Sequence, residues 1–155
     1  AALVRRRVEL SIAGEILFGT ASRFYQEASA DGILEEDFGF SYQTFPGRGY
    51  AAAGGRSRFP DRLRRRILAR IREALDRGIE RDDFDRVRTK AIGDFLRVFH
   101  SPAALGPILA SCHFAGSTLF DYRDALWKTG PSAALARVRA DLSPDRCAVS
   151  TIDPV

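Results

Sequence analysis

A strict alternation of aromatic residues with small or polar residues marks one short stretch of this chain. The aromatic members are Phe38, Phe40 and Tyr42, and the residues between and after them are Gly39, Ser41 and Gln43. Successive side chains of a strand point to opposite faces, so this pattern predicts a half-buried β-strand. Turn residues follow at 46–49, and small residues dominate 50–55. This second segment predicts a strand that pairs back on the first as a hairpin.

Helical periodicity dominates the remaining chain, where apolar residues recur at spacings of three and four. In the first segment the residues expected to gather on one face of the helix are Leu3, Val4, Val8, Ile12, Ile16 and Leu17. Predicted helices cover 3–17, 23–29, 60–77, 82–98, a segment starting at 102, Leu119–Lys128 and Ser132–Leu142. Thr20 or Ser22 is a candidate N-cap of the second helix, Gly78 is a stop signal, and Asp82-Asp83 is a candidate capping pair. Ala148–Ile152 is β-rich and predicts a final strand.

Neighbouring strands joined by a short turn, with helices in a separate block, predict an α+β fold. The expected architecture is an antiparallel sheet with helices packed on one face. The length of 155 residues suits one domain, 1–155, with a sizeable core. Hydrophobic residues make up 45% of the chain, which argues against disorder.

The chain is basic, with a net charge of +4 and 24 basic residues, of which only Lys90 and Lys128 are lysines. The basic residues are interleaved with 20 acids, and the densest run lies in the predicted helix Arg62–Arg77. One function left open is therefore a basic nucleic-acid-binding module that uses this helix. The competing interpretation is an arginine face exposed to solvent or to a neighbouring domain, and nucleic-acid binding is the less favoured of the two.

Two cysteines, Cys112 and Cys147, are too few for a disulfide framework and predict reduced, mostly buried thiols. No segment has the apolar length that a membrane span needs, so no membrane association is predicted. The start of the chain does not have the order of a secretory signal. These features together predict a cytoplasmic protein.

Several short motifs are similar in order and type to one known family. Glu15–Glu27 reads EILFGTASRFYQE, Gly78–Phe84 reads GIERDDF, and Val149–Pro154 reads VSTIDP. Together with the hairpin, these motifs resemble the C-terminal half of the pitrilysin/insulinase family of zinc metallopeptidases, and Phe120-Asp121-Tyr122 resembles a bacterial subgroup. No single motif is specific, but their series spans nearly the whole chain.

The resemblance implies a two-layer α+β unit of the kind that this family repeats in two halves around a peptide-holding chamber. In the family, Zn²⁺ is bound in the N-terminal half by a His-x-x-Glu-His helix. The resemblance therefore implies that this chain is one non-catalytic C-terminal unit, a fragment of a longer protein, that serves as scaffold and chamber wall. It also implies a partner, either the N-terminal catalytic half or a paired subunit in a homo- or heterodimer, and a peptide substrate.

No catalytic or metal site is predicted within the chain itself, because its two histidines, His100 and His113, do not form the zinc motif. An Arg and a Tyr that contact peptide in active relatives correspond to Ser29 and Glu36, so neither is retained. Two sets of candidate contacts remain. Candidate peptide-chamber contacts are Phe38, Phe40 and Tyr42, for which plain core packing is the alternative. Candidate inter-domain contacts are Arg62, Arg65 and Arg66.

Overall fold

The structure is a computed structural model that describes residues 2–35, 37–45 and 48–152. Within these ranges the chain forms seven α-helices, two β-strands and one short 3₁₀ helix. In chain order they are α1 Ala2–Phe18, α2 Arg23–Ala30, β1 Gly39–Phe45, β2 Arg48–Gly54, α3 Pro60–Arg77, α4 Arg81–Val98, α5 Pro102–Phe114, α6 Leu119–Lys128, α7 Pro131–Asp141 and the 3₁₀ helix Pro144–Arg146. The predicted α+β class and the hairpin between helical blocks are confirmed.

The two strands form an antiparallel hairpin in which Phe40 pairs with Ala53 and Tyr42 with Ala51. These four residues pack against the core, whereas the alternate residue Ser41 is exposed. The predicted half-buried strand is therefore confirmed, with its aromatic side towards the helices. The small side chains of β2 leave room for the bulky rings of β1 on that side. The predicted turn residues Pro46 and Gly47 lie outside the described residues.

Helix α1 is the centre of the fold, because it packs against β1, α4, α6 and α7. From Val8 to Phe18 it exposes little more than Ser11 and part of Glu15. Four of the residues predicted to share one face, Val8, Ile12, Ile16 and Leu17, are buried, but Leu10 and Ala13, which that prediction did not include, are buried as well. A helix enclosed on several sides needs apolar residues all round rather than a single stripe.

Helix boundaries follow local signals. Of the two predicted cap candidates, Ser22 rather than Thr20 caps α2, and its side chain accepts a hydrogen bond from the Tyr25 N–H at 3.1 Å. Gly78 ends α3 with a φ of +87°, a value that glycine adopts without a Cβ clash. Asp82 and Asp83 do not cap α4, since Glu80 occupies the N-cap position. They lie in the first turn, where negative charge opposes the positive end of the helix dipole.

Two predictions about the C-terminal region are wrong. Ala148–Ile152 forms no strand, and Val149 and Ile152 are 58% and 94% exposed. High β propensity alone does not make a strand, because a strand also needs a neighbour to pair with and a surface to cover. Cys147 is likewise exposed rather than buried, while Cys112 is half-buried and both thiols are free.

Among the described helices, none is long and apolar enough by itself to cross a membrane. The helices α5 and α6 reach the required length and composition only as a pair, and the chain bends by 88° between them.

Candidate functional site

A groove of about 430 Å³ runs beside β1, between this strand and helix α1. All three predicted peptide-chamber contacts, Phe38, Phe40 and Tyr42, line it. The other lining residues are Ser11, Glu15, Phe18, Gly19, Thr20, Gly39, Ser41 and Lys90. None of these belongs to β2. Within the described part of the chain β1 pairs only with β2, so the groove follows the edge of β1 that has no strand partner.

The apolar wall of the groove is a cluster of phenylalanine rings. Phe18 stacks on Phe40 with ring centroids 5.5 Å apart, and Phe38 lies 5.4 Å from Phe24 and 6.4 Å from Phe18. Phe38 is only 7% exposed, whereas Phe40 is half-buried. The core-packing role considered from the sequence is thus present for Phe38. Phe40 is the ring of this wall that retains more surface for an outside contact.

Tyr42 completes this wall and is 8% exposed. Its hydroxyl has no hydrogen-bond partner of acceptable geometry among the described residues. Burial raises the pKa of Tyr42, and the nearby positive charge of Arg6, whose Cζ lies 6.0 Å from the ring centroid, opposes that rise. Tyr42 therefore remains neutral near pH 7 and contributes packing rather than charge to the groove.

Gly14, a residue that was not among the predicted site residues, fixes the position of Phe40. A Cβ atom at Gly14 would lie 2.1 Å from both Cδ1 and Cε1 of the Phe40 ring. The ring therefore rests directly on the backbone of α1. The signal that could have identified Gly14 is a glycine inside an otherwise helical pattern. Because glycine weakens a helix, its presence there indicates a packing role.

The polar rim of the groove is an ion pair between Glu15 and Lys90. The Lys90 Nζ donates a hydrogen bond to the Glu15 Oε1 at 2.8 Å. This hydrogen bond is the main cause that raises the pKa of Lys90. Lys90 comes from α4 and Glu15 from α1, so the groove has one apolar wall and one charged rim. Their separation of 75 residues left no local pattern from which to predict the pair.

The arginine-rich helix α3 carries seven arginines against three acids. Several of its guanidinium groups have partners within the chain. Arg66 pairs with Asp31 beyond α2, and Arg70 donates to Glu73 at 2.8 Å. Arg62 lies over the Phe59 ring at 5.3 Å. Of the three predicted inter-domain contacts, Arg62 and Arg65 are exposed, while Arg66 is half-buried.

We expect this helix to bind nucleic acid no more tightly than about 100 μM near physiological salt, the weak end of non-specific binding. The reason is that its charge is partly neutralised by neighbouring carboxylates. Fluorescence anisotropy with a labelled duplex, titrated with salt, measures this. The nucleic-acid module would be supported instead by tight binding whose affinity falls log-linearly with salt. That binding should be lost in Arg62→Glu/Arg65→Glu and kept in the control Arg81→Glu/Arg86→Glu.

The described residues do not fit a zinc site. They contain no group of three or more His, Cys, Asp or Glu side chains placed to hold a metal ion. His100 precedes α5 and His113 lies in its last turn, and both are exposed. A structural or catalytic zinc site usually needs three or four such ligands together.

No family model matches the chain. It is 26% identical over 152 residues to the uncharacterized zinc protease YmfH of Bacillus subtilis, and the match covers 98% of this chain and 35% of that protein. A crystal structure from Alicyclobacillus acidocaldarius, assigned as an M16-like peptidase, matches with a TM-score of 0.86 and 28% identity. That match covers 93% of this chain and 35% of the other.

A structure of the inactive peptidase domain assigned to a zinc protease of Bordetella parapertussis matches with a TM-score of 0.76. The identity is 16%, with 97% of this chain and 86% of that domain covered, so this likeness concerns the fold alone. The chain spans about a third of the length of the curated relative that it matches. In sequence and in fold, therefore, this chain is similar to zinc proteases and M16-like peptidases, and it corresponds to a part of them.

Proposed function

We propose that this chain is a non-catalytic unit of a longer zinc-protease-like protein and forms one wall of its peptide-binding chamber. The observation that carries the proposal is the groove along β1. It combines an unpaired strand edge, an aromatic wall at Phe40 and a charged rim at Lys90. Unpaired backbone groups at a strand edge recognise an extended peptide through main-chain hydrogen bonds.

Two observations support the non-catalytic part of the proposal: the exposure of both histidines and the share of the relative's length that this chain matches. Both histidines are exposed, and the described residues hold no cluster of metal ligands. The chain also corresponds to about a third of a zinc protease. Hydrolysis by the longer protein would then use Zn²⁺ held by residues outside this chain, in a catalytic half or a paired subunit.

We expect the purified chain to bind no stoichiometric zinc and to cleave no unstructured peptide. Elemental analysis after zinc loading and gel filtration measures the first, and a fluorogenic peptide library measures the second. One tight Zn²⁺ per chain, or cleavage that a chelator abolishes, would contradict the non-catalytic role. The double variant His100→Ala/His113→Ala serves as control, because it removes both histidines and should change neither result.

Peptide contact in the groove has its own test. Ser11 is exposed on α1 and lines the groove, so Ser11→Trp should fill it and weaken binding of an unstructured peptide several-fold. Ala136→Trp is the matched control, since Ala136 is an exposed small residue on α7 outside the groove. Nuclear magnetic resonance titration of the labelled chain reports both affinity and location. Peptide-induced shifts that avoid the groove, or equal effects of both variants, would contradict the proposal.

A further inference from the structure

A second cavity, of about 150 Å³, lies where helices α1, α4 and α6 pack against one another. Its lining residues fall within 8–15 of α1, 87–94 of α4 and 122–126 of α6. In each helix they are spaced three or four positions apart, so they share one side of that helix. This cavity, named the three-helix pocket here, is therefore framed by one side of each of three helices.

The floor of the three-helix pocket is apolar. Four buried aliphatic side chains line it, namely Val8, Ile12, Val87 and Leu126. Tyr122 adds a half-buried aromatic wall. In another protein an apolar cavity of about 150 Å³ takes up benzene. The three-helix pocket therefore has the size and the lining to hold one apolar side chain such as leucine or phenylalanine.

The mouth of the three-helix pocket carries charges that already have partners within the chain. Lys90 donates a hydrogen bond to Glu15 at 2.8 Å, and the Arg97 guanidinium lies 3.3 Å from the Asp94 carboxylate. A charged ligand group that entered the apolar floor would lose its water and leave these pairs behind. The mouth also includes the exposed residue Ser11, so it is open to solvent. The pocket thus favours an apolar group over a charged one.

The three-helix pocket adjoins the groove along β1. Three residues, Ser11, Glu15 and Lys90, line both cavities. The ion pair between Glu15 and Lys90 joins α1 to α4 at this boundary. A ligand that lies in the groove is therefore next to the mouth of the pocket, with no further element between them to cross.

The direction of β1 places the pocket beside the middle of the strand. Phe40 packs against Gly14 of α1, and the Tyr42 ring centroid lies 6.0 Å from the Cζ of Arg6, further back along α1. Residues 8–15 of α1 are therefore level with Phe40 and Tyr42. A peptide paired with the unpaired edge of β1 turns every second side chain towards the helices. One of these side chains reaches the mouth of the pocket.

We propose that the three-helix pocket is a specificity subsite, which takes one leucine-like or phenylalanine-like side chain from an extended peptide in the groove. This inference rests on the proposed function, because the peptide must first lie along β1. It names the class of peptide that the groove selects: a segment with a large apolar residue at one helix-facing position. A charged residue at that position should be disfavoured.

The test uses ten-residue peptides of serine and threonine that differ only in one central guest residue. Nuclear magnetic resonance titration of the labelled full chain gives the Kd and the contact site of each peptide. Leucine and phenylalanine guests should bind about ten-fold more tightly than the alanine guest, because burial of a large apolar side chain contributes a factor of that order. The aspartate guest should bind no more tightly than alanine.

Ala91→Leu separates the pocket from the groove, because Ala91 is half-buried, lines the pocket and does not line the groove. The added side chain should fill the pocket and reduce the preference for leucine over alanine to about two-fold or less, with the Kd of the alanine guest unchanged. Ala133→Leu is the matched control, since Ala133 is a half-buried alanine of α7 outside both cavities. Ala91→Val decides the result where Ala91→Leu fails to fold.

Four outcomes would overturn the inference, and they distinguish it from the proposed function. Equal binding of leucine and alanine guests in the groove would remove the subsite and leave the peptide groove intact. A preference that persists in folded Ala91→Leu would place the apolar side chain elsewhere. Free N-acetyl-leucine amide that binds as tightly as the leucine peptide would assign the pocket to a small ligand. Peptides that never contact the groove would remove the proposed function and the subsite together.

Discussion

Replacement of Asp141 by alanine is expected to destabilise the folded chain by about 2–4 kcal/mol. Asp141 lies on α7 with 9% of its side chain exposed, and it accepts two hydrogen bonds from Arg6 of α1, at 2.7 and 3.1 Å. Arg137 lies 3.4 Å from the same carboxylate and 3.5 Å from the buried Glu9. Removing the carboxylate leaves Arg6 and Arg137 facing each other without their shared partner.

The expected cost lies below that of a fully buried pair because Arg6 and Arg137 keep about a third of their side chains in water. Urea unfolding measures the effect, which should appear as a lower midpoint with an unchanged m-value. Asp124→Ala is the control, since Asp124 pairs with Arg123 and Lys128 at the surface and should cost less than about 1 kcal/mol. Similar losses of unfolding free energy in the two variants would show that burial does not strengthen the contribution of the Asp141 ion pair.

The second large effect is expected at Gly14. Gly14→Ala should destabilise the chain by about 1–3 kcal/mol, because the new methyl group would lie 2.1 Å from two atoms of the Phe40 ring. Phe40 cannot move freely, since it stacks on Phe18 at 5.5 Å. Denaturant unfolding measures the loss of stability, and the solvent exposure of the Phe18 and Phe40 rings reports the displacement of their stack.

A double-mutant cycle separates this clash from the helix propensity of the two residues. In a Phe40→Ala background the clash is absent, and alanine should then stabilise α1 over glycine by up to about 1 kcal/mol. The sign of the Gly14→Ala effect should therefore reverse. The same sign in both backgrounds would show that Phe40 is not what requires glycine at this position.

Elements with a local signal were predictable from the sequence. The alternation at Phe38–Tyr42 predicted the first strand, and the turn and small residues after it predicted the hairpin. The bounds of Leu119–Lys128 agree with α6. The cap of α2 was narrowed to Thr20 or Ser22, because a capping side chain acts on a backbone group only a few residues away, as Ser22 does on the Tyr25 N–H. Such features depend on a few neighbouring residues, so their pattern is contained in a short window of sequence.

Features that depend on distant partners were not predictable in the same way. The enclosed half of α1 was interpreted as a one-faced helix, because nothing near Leu10 or Ala13 shows how many elements surround it. The pairs Arg6–Asp141 and Glu15–Lys90 join residues 135 and 75 positions apart. The predicted strand at Ala148–Ile152 failed for the related reason that β propensity does not supply a pairing partner.

The candidate site was predictable in part. The three aromatic residues Phe38, Phe40 and Tyr42 do line one groove. Their alternation also places them on the side that faces the helices, so two of the three are nearly buried. The accessible part of the groove is lined as well by the exposed residues Ser11 of α1 and Ser41 of β1. Which edge of the hairpin stays unpaired is a property of the assembled sheet, so no residue type predicts it.

The central position of α1 has a consequence for how the chain is made. Its partner residue Asp141 follows Arg6 by 135 positions, so at a synthesis rate of about 5–20 residues per second it leaves the ribosome roughly 7–27 s later. Throughout that interval α1 has emerged without α7, one of the helices that enclose it, and its apolar residues have only incomplete cover. The apolar residues of α1 therefore remain only partly covered for many seconds after α1 is synthesised, until α7 can pack on them.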